Sequence, residues 1–135
     1  MAVALQQAEL ALASNDIPVG ACIVRGGQVI ATGRNQVDSH KNDLNHAETQ
    51  AIAKANQHIF GAREPIYLYT TLEPCLMCLG AMLMAGIRNL VVAAQDPMVG
   101  AVKLIEHHEF YGPRLRSVTW NVCQNEAQTL LNQYV

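Results

Sequence analysis

The feature that most constrains the fold is a strand–turn–helix–strand run in the middle of the chain. Ile66-Tyr67-Leu68-Tyr69-Thr70 has the β-branched and aromatic content of a strand. After Thr71-Leu72-Glu73-Pro74, a segment dense in Leu, Met and Ala runs from about Cys75 to Ala85, which is a helix by propensity. Gly86 stands where such a helix stops. Leu90-Val91-Val92-Ala93-Ala94 is apolar without alternation, as a central strand covered on both faces should be. A strand, a crossover helix and a second strand predict parallel neighbours joined by a right-handed connection.

The flanking segments extend this pattern. Residues 2–14 predict a helix, with Val3, Leu5, Leu10 and Leu12 as its larger apolar side chains among many alanines, ended by Ser14-Asn15-Asp16. Ala21 to Val24 and Gln28 to Thr32 predict two strands joined through Gly26-Gly27, a hairpin signal. A polar loop is expected from Gly33 through Asp43. From His46 to about Gln57, Ala47, Ala51, Ile52 and Ala55 recur at helical spacing. Beyond Asp96-Pro97 the pattern weakens. It predicts a short helix over Val102 to His107, a last strand through Leu115, Val118, Trp120 and Val122, and a closing helix over Asn125 to Tyr134 with Ala127, Leu130 and Leu131 inward. The order α-β-β-α-β-α-β-(α)-β-α predicts a three-layer α/β/α fold whose β-α-β-α-β middle requires parallel neighbours with right-handed crossovers, with residues 1–135 forming one domain.

Composition narrows the function classes. With 135 residues, 50% of them apolar, the chain is long enough to bury a real core. No apolar run reaches membrane-spanning length, and Met1 to Gln6 lacks the basic and apolar regions of a signal peptide, so a cytoplasmic protein with no membrane partner is expected. The formal charge is −2, without a block of like charge. That removes the signature of a dedicated nucleic-acid binder, although it is compatible with a local basic patch. Of the four cysteines (Cys22, Cys75, Cys78, Cys123), only Cys75 and Cys78 are closely spaced. In a cytoplasmic chain such a pair reads as a metal or redox site.

His46-Ala47-Glu48 and Pro74-Cys75-Leu76-Met77-Cys78 both lie where a loop or strand feeds a helix. The partial positive charge of a helix start favours thiolate. One imidazole and two thiolates make three ligands for zinc and leave a fourth position open, as in catalytic zinc sites. Either Cys22 or Cys123 closing the shell would instead make the site structural. Glu48, two residues beyond His46, is off the imidazole's helix face and has the chemistry of a proton shuttle. Taken singly, each residue has an ordinary structural reading; together they point to metal-assisted hydrolysis.

The pattern His-x-Glu followed by Pro-Cys-x-x-Cys resembles the cytidine deaminase-like zinc deaminases, a signature of nucleobase deaminases in general. Within that superfamily the chain is most similar to the bacterial tRNA adenosine deaminases and their guanine and cytosine deaminase relatives. Asp16-Ile17-Pro18-Val19-Gly20-Ala21, Thr71 to Cys78 and Gly80-Ala81-Met82 extend the likeness from about residue 3 to 96. The resemblance implies a five-stranded mixed sheet covered by helices and one Zn2+ per chain held by His46, Cys75 and Cys78. It further implies Glu48 as the catalytic proton carrier, Asn35 and the Ala47 backbone N–H as substrate contacts, and a homodimer.

Two departures bear on the substrate. Met98, in Asp96-Pro97-Met98-Val99-Gly100-Ala101, stands where the tRNA deaminases typically carry lysine. The segment after it is acidic and histidine-bearing, with Glu106, His107, His108 and Glu109. Because RNA affinity rests on phosphate neutralisation, these features favour a free nucleobase or nucleoside of purine or pyrimidine metabolism, with wobble adenosine in tRNA as the alternative. A catalytically silent zinc-stabilised binding module and a Cys75–Cys78 redox protein are the readings from other classes. His108, Phe110 and Tyr111 are candidates for an aromatic wall or for core. His107 and the rest of the 97–113 region have no assigned role.

Overall fold

A computed structural model describes residues 1–134. The elements follow the expected order: α1 (Ala2–Ala13), β1 (Gly20–Arg25), β2 (Gln28–Arg34), α2 (Val37–His40), α3 (Ala47–Ile59), β3 (Ile66–Leu72), α4 (Leu76–Met84), β4 (Asn89–Ala94), α5 (Val102–Ile105), β5 (Ser117–Thr119) and α6 (Gln124–Gln133). The strands form one mixed sheet of five in the order β2-β1-β3-β4-β5. β1 is antiparallel to both β2 and β3, whereas β3, β4 and β5 are mutually parallel. The hairpin turns at Gly26 and Gly27, both at positive φ (57° and 77°), the geometry that a two-residue connection between twisted strands demands. Gly86, at φ 83°, ends α4, with Ile87 N–H donating to Met82 O in a Schellman closure.

Glycines set the helix-to-sheet distance on each face. A Cβ on Gly20 would lie 2.0 Å from Ala4 O of α1, and one on Gly33 would lie 2.0 Å from Ala47 O of α3. The two helices therefore sit almost on the strand backbone, and only small side chains fit between them. α1 accordingly turns its alanines to the sheet in preference to its larger apolar side chains. Its buried face is Ala4, Ala8 and Ala11, while Leu10 is 46% exposed. The main core lies on the α3–α4 face, built around Ile23, Leu68, Leu79, Met82, Leu90 and Val92. A smaller cluster under α1 and α6 joins Ala93, Ala94 and Ala127 to Leu5 and Leu131.

Three local expectations change. The loop after β2 contains a single helical turn, α2, closed by Lys41 in the left-handed region; four residues are too few to show periodicity. The last strand shrinks to Ser117–Thr119, because Asn121 and Cys123 adopt positive φ (63° and 59°) and break the extended backbone. Finally, β2 and β3 are separated by the antiparallel β1, so the parallel series begins only at β3. No helix among the described residues is long and apolar enough to cross a membrane.

Candidate metal centre

His46 is the residue immediately before α3, and Cys75 the one immediately before α4. Both have extended backbones (ψ 155° and 172°), and neither side chain caps its helix. The two side chains instead meet each other between the helix starts. Cys78 lies one turn into α4 and is fully buried. The three donor atoms lie within 4.8 Å of one another. His46 Nδ1 is 3.7 Å from Cys75 Sγ and 3.5 Å from Cys78 Sγ. Two ligands at zinc–nitrogen and zinc–sulfur bond lengths and a tetrahedral angle would be about 3.5 Å apart, so the donor set fits one zinc ion in chemistry and in spacing.

The thiols are electrostatically unequal. A hydrogen bond from Cys78 stabilises the Cys75 thiolate and outweighs its partial burial, bringing Cys75 down to about 5. Cys78 is pushed up because it is the donor in that bond, because it is buried, and because Glu48 lies beside it. One of the pair is thus poised as thiolate, and a bound cation would release the proton of the other. Cys22 lies in β1 and is buried, and Cys123 is exposed at the start of α6. Neither joins the cluster, so the closed four-ligand arrangement is not formed.

Glu48 is 4% exposed. Burial raises its carboxyl above the ordinary range, and the Cys75 charge adds to this against the opposing effects of its own backbone N–H and His46. Cys78 Sγ lies 3.6 Å from Oε2, and Thr70 Oγ1 is 3.3 Å from Oε1. The Thr70 hydroxyl also lies 2.9 Å from Leu72 O. Residue-type reasoning passes over Thr70; the available signal was strand alternation, which puts it on the same face of β3 as the core residue Leu68.

Asn35 is 6% exposed at the end of β2. Its Oδ1 accepts the Val37 N–H at 3.2 Å and its own N–H donates to Val19 O at 2.9 Å, so the turn holds the residue and leaves the side-chain NH2 as donor. Ala47 is the first residue of α3, where a backbone N–H has no acceptor within the helix. Glu73 lies in the turn between β3 and α4. Its carboxylate accepts the N–H groups of Asp96 and Val102, both at 3.4 Å, and Ala101 N–H donates to Pro74 O at 3.0 Å. The 96–102 loop is thereby laced to the turn that carries Cys75. Elsewhere, His108 lies tilted and Phe110 edge-on against Tyr111, and Arg114 lies over the Phe110 ring. Tyr111 packs against the main core, which supports the core reading for that residue.

Residues 1–94 match the cytidine and deoxycytidylate deaminase zinc-binding region. The chain belongs to that family. A tRNA-specific adenosine deaminase of Aquifex aeolicus is 38% identical over 101 residues, covering 74% of this chain and 67% of that protein. Across several such relatives the chain spans 59% to 68% of their length. A structure from a study of A-to-I editing by tRNA:A34 deaminases at the wobble position of transfer RNA superposes with a TM-score of 0.86, at 34% identity and 97% of each chain. Guanine deaminase from Nitrosomonas europaea superposes with a TM-score of 0.79, at 26% identity, over 97% of this chain and 80% of that one.

Proposed function

We propose that this chain is a zinc-dependent hydrolase that removes an exocyclic amino group from a nucleobase as ammonia. The observation that carries the reading is Glu48, a buried carboxyl with a raised pKa beside the donor cluster. A structural metal site has no use for it. His46, Cys75 and Cys78 would hold zinc, which when bound supplies a Lewis acid that activates water near neutral pH. Glu48 takes a proton from the attacking water and delivers it to the departing amine, so that water and the ring amine become a ring carbonyl and ammonia. A carboxyl raised towards neutrality suits both halves of that transfer. Thr70 keeps its Oε1 in place, the Asn35 side-chain NH2 binds the substrate, and the Ala47 N–H meets a ring acceptor.

Adenosine in tRNA is the substrate most strongly supported, by the identity to tRNA-specific adenosine deaminases and by the superposition on the tRNA:A34 deaminase study. A free purine is the second reading, favoured by the guanine deaminase likeness and by the exposed Met98. The expected setting is the cytoplasm. A homodimer is supported by Met84, 67% exposed beside Ile52, Ala81 and Ala85 on the shared face of α3 and α4. Size-exclusion chromatography with light scattering tests the dimer.

The deciding experiment measures ammonia release by zinc-loaded protein on free bases, nucleosides and an adenosine-wobble tRNA, beside Glu48→Ala. Turnover of tRNA that disappears in the variant supports the first reading. Turnover of a free base alone moves the assignment to the second. A variant that retains full turnover removes Glu48 from the mechanism.

A further inference from the structure

The arginines that enter the parallel strands are scattered in sequence and adjacent in space. Arg63 lies in the loop before β3, Arg88 immediately precedes β4, and Arg116 immediately precedes β5. The register sets Tyr67 beside Asn89 and Asn89 beside Ser117, so Arg88 and Arg116 sit level at one end of the sheet. Arg25 closes β1 at that end, opposite Ile66. Adjacent strands are about 4.8 Å apart, so the row spans roughly 14 Å from β1 to β5. Arg116 N–H donates to Arg88 O at 2.8 Å, which ties two members together.

Arg63, Arg88 and Arg116 line a cavity of about 410 Å³. The one carboxylate in its wall is Glu64, which is already engaged by Arg25 at 2.7 Å. Among the described residues, the guanidinium groups of Arg63, Arg88 and Arg116 make no ion pair. A chain of net charge −2 thus places three arginines without an ion pair around one concave surface, although Arg116 also borders the neighbouring cavity that Glu73, Asp96 and Glu106 line. Each guanidinium is a planar fork of donors suited to tetrahedral oxyanions, and a concave wall concentrates their field. The metal cluster is at the other end of β3, roughly 20 Å away by strand rise. This cavity is therefore separate from the ring-binding site.

We propose that this cavity is a phosphate-binding site, occupied either by a free nucleotide or by the backbone of an RNA. Amide NMR spectra of the zinc-loaded full chain test it, recorded at low salt with inorganic phosphate, adenosine 5′-monophosphate and an anticodon stem–loop RNA. The expected result is movement of the Arg63, Arg88 and Arg116 amides, with binding weakened about tenfold by each of Arg88→Gln and Arg116→Gln. Zinc affinity and Tm should be unchanged in both variants. Saturation by phosphate or the mononucleotide identifies a small ligand. Binding of the RNA alone, with the salt slope falling by about one per arginine removed, identifies a polynucleotide. Amides that stay still with all three probes, variants that bind like wild type, or shifts confined to His46, Cys75 and Cys78 overturn the assignment.

Discussion

Gly33→Ala is the substitution through which packing and the metal centre are most directly coupled. The added Cβ would start 2.0 Å from Ala47 O and 2.8 Å from Ala51 N, whereas ordinary contact begins at 3.4 Å. Relieving the first contact requires about 1.4 Å of movement between β2 and α3. Both obstacles are backbone atoms, so no side-chain rotation can absorb it. Overpacking of a tight core costs about 1–3 kcal/mol, and the upper end is expected here. The displaced carbonyl belongs to Ala47, flanked by His46 and Glu48. A misplacement near 1 Å at a reacting group costs about 10²-fold in rate, and zinc affinity should fall with it. Gly20→Ala is the control. Its Cβ would meet Ala4 O at the same 2.0 Å, but on α1, away from the donor cluster. Urea unfolding should show similar losses for the two variants, while chelator competition for zinc should separate them. Equal zinc affinities in Gly33→Ala and wild type would refute the argument that this contact positions α3.

Other substitutions probe separate links. Leu68→Ala, at a fully buried position in a central strand, should cost about 2–5 kcal/mol by urea midpoint without changing zinc stoichiometry. Thr70→Val removes the hydroxyl beside Glu48 Oε1 and Leu72 O; about 1 kcal/mol of stability should go, with a fall in kcat larger than any change in KM. Glu73→Ala should raise hydrogen exchange at the Asp96 and Val102 amides, whose acceptor it removes, while the Leu68 amide stays protected. Stripping the metal with a chelator should lower Tm and abolish ammonia release, and back-titration should restore both at one zinc per chain. A thermal transition indifferent to zinc would mean that the cluster contributes nothing to folding.

The local grammar of the chain determined most of the element order and the three residues of the donor cluster. Helix and strand periods, the Gly26-Gly27 turn and the Gly86 stop act over a few residues, so they can be read without tertiary context. The spacing of Cys75 and Cys78 is local too, and His46-Ala47-Glu48 announces itself by residue type at a helix start. Tertiary structure alone decided which face of α1 is buried, because that depends on Gly20 passing beneath it. It also decided that β1 separates β2 from β3, that Thr70 meets Glu48 and Glu73 meets the Asp96 amide across 22 and 23 residues of chain, and that neither Cys22 nor Cys123 joins the donor cluster. The arginine row marks the limit most clearly. No stretch of sequence contains a block of positive charge, yet strand register sets Arg88 level with Arg116 and the loop before β3 brings Arg63 to the same cavity. Charge in sequence is counted along the chain, whereas the field that a ligand meets is summed through space.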